Sequence, residues 1–280
     1  MSTEVLPNDR DVAFFEAEGY WIAPKILDDD RLDALRKSMM RVYEGDYETG
    51  QEPWKGYWKP GENAASLRKT DNSHWSDLTL RDLATDSVIG EIAAKLMRAH
   101  SIRLWHDQLL YKPGEGKAKT SGANVGWHQD YFYWQAAQAP TMLTAWVAFD
   151  DVDEENGCMR VIPKSHTWGL IDENDFFAQD LAEQQANMKT PDGQATEVVP
   201  LVMKAGQVSF HHALTLHGSG PNTTDKPRRS LAVHLMTGDT RYRAGTAGEG
   251  HMNVGLLAGK DGDFFAGKSF PLLFGEEVPV

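Results

Sequence analysis

The sequence is poor in cysteine and in basic residues, and it has no long apolar run. Cys158 is the only cysteine among 280 residues, which excludes a disulfide within the chain and a zinc site built on several cysteines. Lysine and arginine number 28 against 41 aspartates and glutamates, so the formal net charge is −13. Such a charge disfavours nucleic acid or an anionic membrane as a partner.

The lack of apolar runs also bears on the location of the protein. No run approaches the roughly 20 residues that a membrane helix needs, and residues 1–10 lack the apolar segment of a signal peptide. We therefore expect a cytoplasmic protein without a membrane partner. The chain does contain 41% apolar residues, enough for a sizeable core. Its length is compatible with a single domain over residues 1–280.

Two kinds of pattern follow one another along the chain. The first part, about residues 8–99, predicts helices at 11–18, after a cap at 28–30, and at 87–99, with a strand at 20–27. The second part, about 100–240, predicts short strands at 101–111, 141–151, 158–162, 196–203, 206–210 and 229–236. The tail at 241–280 stays unassigned. We expect a mainly β protein, a sandwich or barrel with flanking helices.

The first candidate metal site is the H-x-D sequence of His128 and Asp130. Residues two apart in an extended chain point to the same side, so both side chains can reach one ion. Two histidines and one carboxylate on one face suit Fe(II) and leave positions open for substrate and oxygen. A lone H-x-D is weak evidence, because it occurs often by chance.

The missing third ligand has three candidates in residues 211–222, namely His211, His212 and His217. The small residues after His217 would allow a ligand to approach closely. For His211 and His212, a capping or core position with a satisfied hydrogen bond is the better interpretation.

The segment 226–235 predicts a strand with two different faces. Small residues alternate with Arg228 on one face, as a ligand cavity needs, and aliphatic residues alternate with Arg229 on the other. Arg228 could bind a carboxylate with two parallel hydrogen bonds. For Arg229 we expect a solvated surface position.

Taken together, these motifs resemble the phytanoyl-CoA dioxygenase-like family of Fe(II)/2-oxoglutarate oxygenases, which includes ectoine hydroxylase. The resemblance rests on H-x-D at 128–130, on H-G-S-G-x-N from His217, and on an arginine eleven residues after that histidine. It also includes Gly19-Tyr20 and the sequences N-G-C at 156–158 and P-K-S-H at 163–166, so that it runs from about residue 18 to 235.

The resemblance implies a double-stranded β-helix, which is a jelly-roll, cupin-like barrel of two facing sheets. It implies His128, Asp130 and His217 as the iron ligands. It further implies that Arg228 and Ser219 contact the distal carboxylate of 2-oxoglutarate. Trp146 and Gln108 match positions that line the cosubstrate pocket, although Trp146 could also be plain core. Either Arg68 or Lys69 is expected to supply a further basic contact.

The implied reaction is the oxidation of a small-molecule C–H bond with Fe(II), 2-oxoglutarate and O2, releasing succinate and CO2. Because the carboxylate of Asp130 is present, hydroxylation is favoured over halogenation, while desaturation, epoxidation, ring closure and demethylation stay open. Alternatives are a protein side-chain hydroxylase and a non-oxidative metal-binding barrel of the same fold. We expect a monomer or homodimer.

Clues to the substrate come from aromatic and basic residues near these motifs. Trp127, residues 131–134, and Trp54, Tyr57 and Trp58 of the loop 44–63 favour an apolar, planar or cationic substrate, or else an aromatic cluster that closes the barrel. Three lysines of the loop 112–126 could meet an anionic substrate, although solvated side chains are the simpler expectation; they are Lys112, Lys117 and Lys119.

Overall fold

The computed structural model describes residues 5–114, 124–138, 141–172, 175–191, 194, 196–257 and 259–277. Its helices are α1 (Asp9–Glu18), α2 (Asp29–Glu44), α3 (Leu78–Ala84), α4 (Ser87–Leu96) and α5 (Leu181–Asn187). Its strands are β1 (Tyr20–Ile22), β2 (Lys55–Gly56), β3 (Arg68–Asp71), β4 (Ile102–Lys112), β5 (Val125–His128), β6 (Met142–Ala148), β7 (Met159–Val161), β8 (Val199–Pro200), β9 (Val208–His212), β10 (His217–Ser219), β11 (Arg228–Thr237) and β12 (Leu272–Phe274).

The strands form two antiparallel sheets. The larger sheet has the order β1-β9-β6-β11-β4-β3-β2, with β12 paired to β4, and the smaller sheet has the order β5-β10-β7-β8. Neighbours in each sheet come from distant parts of the chain, as in a jelly roll. The predicted double-stranded β-helix, a jelly-roll barrel of two sheets, is confirmed.

The two faces of the larger sheet bury different sets of side chains. Its outer face packs against the helices, where Leu109 and Val233 share a core cluster with Leu35 of α2 and Ile92 of α4. Its inner face packs against the smaller sheet, where Leu110 shares a second cluster with residues of β7. On β11, Leu231 and Val233 belong to the outer cluster and Ala232 to the inner one, which confirms the two faces predicted for the segment 226–235.

Local sequence signals explain the first two helices. Asn8 caps α1 in a capping box with Asp11, and Asp28 caps α2. Each helix ends at a glycine with a positive φ, 81° at Gly19 and 80° at Gly45, where other residues would be strained. Among the described residues, no helix combines the length and the apolarity that crossing a membrane requires.

The tail, which had no predicted structure, closes one end of the barrel. Phe265 and Phe270 are fully buried in a cluster with Trp105 and Trp134, and β12 adds a short strand beside the start of β4. The rings of Trp105 and Phe270 stack with centroids 5.9 Å apart. The tail therefore contributes to the core.

Candidate metal centre and adjoining cavities

Two adjoining cavities lie inside the barrel. The smaller one measures about 50 Å³ and the larger one about 360 Å³. Both are lined by His128, Asp130, Gln108 and Phe176, so the predicted metal ligands stand where the two cavities meet. A reacting centre in this position has access to a molecule in each cavity.

The three predicted metal ligands come together at that boundary. One donor atom from each of His128, Asp130 and His217 lies within 4.8 Å of the others, and all three residues are buried. His128 ends β5, Asp130 begins the short turn after it, and His217 on β10 is the cross-strand partner of His128. Pairing across the smaller sheet therefore supplies the third donor.

The backbone fixes the orientation of both imidazoles. His128 Nδ1 lies 2.8 Å from the carbonyl oxygen of Gly126, and His217 Nδ1 lies 2.9 Å from that of Thr215. Because a carbonyl only accepts, each Nδ1 carries the proton and each Nε2 keeps its lone pair. The two Nε2 atoms lie 3.6 and 3.7 Å from Asp130 Oδ1, which leaves the three donors facing a common point.

Asp130 is held by a hydrogen-bond chain from its other oxygen. Thr144 Oγ1 donates to Asp130 Oδ2 at 2.6 Å and lies 2.8 Å from His234 Nδ1. His211 Nε2 lies 3.3 Å from the same Oδ2. His211 is thus a buried histidine with a hydrogen bond, as expected, but its partner is a predicted metal ligand. His212 is half-buried and accepts the Leu214 amide, in keeping with a capping position.

The protonation states suit metal binding. Burial, together with the neighbouring His128 and His211, holds the pKa of His217 well below its usual value, so its ring is neutral. Burial by itself would raise the pKa of Asp130, but hydrogen bonds from its histidine neighbours, among them His211 to Oδ2, hold it well below its usual range. A neutral imidazole and an ionised carboxylate are the forms that bind Fe(II).

Gly218 allows β10 to approach β5 closely. A Cβ atom there would lie 3.0 Å from the carbonyl oxygen of Val125, tighter than ordinary contacts. The close approach of β10 to β5, which brings His217 opposite His128, therefore favours glycine. The small residue was expected to let a ligand approach, and the structure shows that it admits the backbone of a strand.

The smaller cavity contains a buried cation, Arg228. Its side chain is 3% exposed, one terminal nitrogen donates to the carbonyl of Gly157, and its Cζ lies 5.1 Å from the ring centroid of Trp146. Among the residues that the structure describes, Arg228 Nε has no hydrogen-bond partner. Burial lowers the pKa of Arg228 to about 10, which reflects a cation without a close anion. This end of the cavity is suited to a carboxylate.

Ser219 also lines the smaller cavity, together with an unexpected neighbour. Lys112 Nζ donates to Ser219 Oγ at 2.8 Å and to the carbonyl of Gly220. Lys112 is fully buried, so the expectation of a solvated side chain is wrong. The reason is that β4 extends through Lys112, opposite Arg228 of β11. Lys117 and Lys119 lie outside the described residues.

Lys69 and Arg68 point to opposite sides of β3. Lys69 is buried, lines the larger cavity, and its Nζ lies 2.9 Å from Asp71 Oδ1. The guanidinium of Arg68 instead stacks at 3.9 Å from the ring centroid of Trp58, outside both cavities. Of the two basic candidates, Lys69 is the one near the site.

Aromatic residues divide between this larger cavity and the core. Trp54, Tyr57, Tyr133 and Trp134 line the cavity, together with Phe176 and Phe177, which the sequence did not single out. Tyr131 and Trp127 are core residues of two other clusters, and Trp58 packs beside α2. The aromatic segments therefore contribute both to the wall of the larger cavity and to the core.

Two further cavity histidines had no partner pattern in the sequence. His106 of β4 and His251 of the tail line the larger cavity, with ring centroids 5.1 Å apart. Burial lowers the pKa of His251 to about 3 and that of His106 well below its usual value. No local signal marks them, because His251 reaches the site through the tail.

We expect these two histidines to make the metal-free protein less stable in acid. Since the unfolded chain binds protons near pH 6.5 and the folded form does not, the free energy of unfolding falls as the pH drops from 6.5 toward 3. The slope is about 1.4 kcal/mol per pH unit for each histidine. Urea unfolding at several pH values should show a shallower slope for His251→Phe. His100→Phe, at an exposed position, should keep the original slope, and equal slopes in all three proteins would contradict the prediction.

Comparison with known proteins gives a consistent result. The family model described as phytanoyl-CoA dioxygenase (PhyH) matches residues 15–230. A probable alpha-ketoglutarate-dependent hypophosphite dioxygenase of Stutzerimonas stutzeri is 27% identical over 203 residues, which cover 72% of this chain and 68% of that protein.

Two solved structures from nogalamycin biosynthesis are similar over nearly the whole chain. The non-heme alpha ketoglutarate dependent carbocyclase SnoK is 28% identical with a TM-score of 0.73, covering 97% of this chain and 98% of its own. The epimerase SnoN, in complex with Fe3+, alpha ketoglutarate and nogalamycin RO, is 28% identical with a TM-score of 0.73, covering 95% and 98%.

Proposed function

The chain belongs to the phytanoyl-CoA dioxygenase (PhyH) family, and from this membership we propose that His128, Asp130 and His217 hold the Fe(II) of the enzyme. The protein is a 2-oxoglutarate-dependent dioxygenase that acts on a small molecule, with Fe(II), 2-oxoglutarate and O2 as its cofactor and cosubstrates. The observation that carries the assignment is the convergence of two imidazoles and one carboxylate on one point.

We place 2-oxoglutarate in the smaller cavity, with its distal carboxylate on Arg228. The unpartnered Nε of this buried arginine and the Ser219 hydroxyl beside Lys112 supply donors for that carboxylate. Trp146 covers the guanidinium and excludes water from it. Gln108 lines both cavities beside His128 and Asp130, where it can contact the keto acid.

We further propose that the substrate occupies the larger cavity and is hydroxylated there. When bound, Fe(II) with 2-oxoglutarate supplies the oxidation: 2-oxoglutarate becomes succinate and CO2, with one oxygen atom of O2 in succinate and the other in the new hydroxyl group. The residues of this chain orient the reactants and keep the centre dry. Phe176, whose ring centroid lies 5.1 Å from that of His128, covers the metal position on the substrate side.

Ring closure is a second candidate outcome, because a structural relative at 28% identity is a carbocyclase. Both outcomes begin with the breaking of a C–H bond and both form succinate, but ring closure also removes a second hydrogen, and the second oxygen atom of O2 then leaves as water. Reaction under 18O2 separates them, because hydroxylation places the label in the product and ring closure does not.

The proposal also covers the cellular location, the domain organisation and the oligomeric state of the enzyme. A single cysteine and a net charge of −13 support a cytoplasmic location without a nucleic-acid partner. The tail packs on the barrel through Phe265 and Phe270, which supports one oxygenase domain. We expect this domain to act as a monomer or homodimer.

An anaerobic titration of the metal-free protein with Fe(II) and 2-oxoglutarate tests the function. We expect a weak visible metal-to-cosubstrate charge-transfer band that saturates at one equivalent of each. Succinate in place of 2-oxoglutarate is the matched control and should give no band. A metal-loaded protein that shows no band with 2-oxoglutarate would favour the non-oxidative barrel.

A further inference from the structure

We propose that the larger cavity binds a flat, uncharged ring system, and that an oxygen substituent of this ring is hydrogen-bonded by the imidazole of His106. The proposal rests on the proposed function, since it names the class of substrate that the same metal centre would oxidise. Three features of the cavity carry it: aromatic walls, balanced charge and a buried histidine whose nitrogens have no partner.

The aromatic walls run from the mouth of the cavity to the metal position. Trp54, Tyr57 and Phe177 are 48%, 39% and 64% exposed, although side chains of this size are usually buried. Deeper in the cavity, the ring centroids of Tyr133 and Phe176 lie 6.3 and 5.1 Å from that of His128. Such walls offer face and edge contacts to a flat ring system.

The charges of the lining favour a neutral molecule. Lys69 is paired with Asp71, with Nζ 2.9 Å from Oδ1. Lys55 is exposed at the rim, with its Nζ 4.5 Å from the ring centroid of Tyr57. Asp130 is the remaining lining carboxylate and is assigned to the metal. The described lining residues include no arginine, the residue best suited to hold phosphate or carboxylate groups in two parallel bonds.

His106 supplies the specific contact. It is 1% exposed and lines the cavity, and within the described part of the chain neither of its ring nitrogens has a hydrogen-bond partner. Aromatic neighbours hold the ring, with the centroids of His234, His251 and Trp134 at 4.4, 5.1 and 5.8 Å. Burial and the neighbouring histidines keep its pKa well below the usual value.

A neutral imidazole presents one N–H donor and one bare nitrogen acceptor. This pair matches a hydroxyl group, which also donates and accepts. A bound hydroxyl would therefore satisfy a nitrogen that the protein leaves unpaired, and a ring without the hydroxyl would leave that nitrogen unsatisfied. His106 is then the residue that selects among flat rings by their oxygen substituents.

Equilibrium dialysis with the anaerobic enzyme, loaded with Fe(II) and 2-oxoglutarate, tests this inference. The probes are 2-naphthol, naphthalene, palmitoyl-CoA and hypophosphite. We expect 2-naphthol, whose hydroxyl group is free, to bind most tightly. His106→Phe should weaken its binding by about tenfold or more, while it changes the binding of naphthalene by less than about twofold. His106→Gln, which keeps a donor and an acceptor, should restore most of the affinity.

The controls separate this proposal from the proposed function. The charge-transfer band of the iron and 2-oxoglutarate should persist in His106→Phe, and His100→Phe, at an exposed position, should bind every probe as the wild type does. An equal loss for 2-naphthol and naphthalene would show that His106 only packs. Tighter binding of palmitoyl-CoA or hypophosphite, or no binding of either ring compound, would overturn the substrate class. If the wild type showed no charge-transfer band, that result would count against the proposed function instead.

Discussion

Replacing Asp130 with alanine is expected to lower 2-oxoglutarate-dependent succinate formation by about 1000-fold or more. The carboxylate is the only charged member of the proposed ligand set, and its Oδ1 faces the Nε2 atoms of His128 and His217. Without it, two neutral imidazoles have to hold a divalent cation. We expect the anaerobic charge-transfer band to disappear in the same variant.

The folded state should survive this substitution. Thr144 and His211 lose a hydrogen-bond partner, which costs about 1–3 kcal/mol. On the other hand, a buried carboxylate is removed, and removing a buried charge offsets part of that cost. A melting curve of the metal-free protein should therefore remain cooperative, which distinguishes loss of the metal from loss of the fold.

Two variants serve as comparisons for Asp130→Ala. Thr144→Val removes the hydroxyl that orients the carboxylate but keeps the ligand, so iron affinity should fall by about tenfold. Asp33→Ala, at an exposed position of α2, should behave as the wild type. An Asp130→Ala protein that keeps both the band and succinate formation would refute the ligand assignment. His211, 3.3 Å from Asp130, would then be the next candidate.

The sequence predicted the parts of the fold that depend on local signals. Asp28 caps α2 within the predicted cap at 28–30, and the alternation from Arg228 to Leu235 identifies the inner and outer faces of β11. These features follow from spacing along the chain alone. The same spacing put His128 and Asp130 on one side of the chain, where the structure has them.

The third donor could not be chosen from local spacing. Three candidate histidines follow one predicted strand, namely His211, His212 and His217. The resemblance to the family selected His217, whereas the alternation of side chains along the chain could not. The structure brings His217 to His128 by pairing β10 with β5, strands almost 90 residues apart. Cross-strand register of this kind depends on the whole topology.

Long-range pairing also explains what the sequence interpretation missed. Lys112 follows an apolar strand and precedes a glycine-containing loop, so solvation was the natural expectation. Its burial results from the register of β4 against β11, which places it opposite Arg228. His106 and His251 meet because the tail folds back onto the barrel. In each case the partner is more than 100 residues away, beyond the reach of any local motif.

Replacing Arg228 with methionine is expected to raise the KM for 2-oxoglutarate by about 100-fold, or roughly 3 kcal/mol of binding free energy. The guanidinium is buried, its Nε has no partner among the described residues, and burial lowers its pKa to about 10. A carboxylate bound there gains charge-assisted hydrogen bonds in a dry site. Steady-state succinate formation at increasing 2-oxoglutarate concentrations measures the effect, and high concentrations should rescue the turnover.

The neighbouring Arg229 offers a matched control on the same strand. Its side chain faces outward and binds Asp150 through two nitrogens, at 2.9 and 2.7 Å. Arg229→Met therefore loses a partly exposed ion pair worth about 1 kcal/mol of stability, but its KM should stay within about twofold of the wild type. The two variants have the same change in charge and composition, so only the direction in which the side chain points distinguishes them. A raised KM in Arg229→Met with an unchanged one in Arg228→Met would place the cosubstrate outside the barrel and contradict the assignment of the smaller cavity.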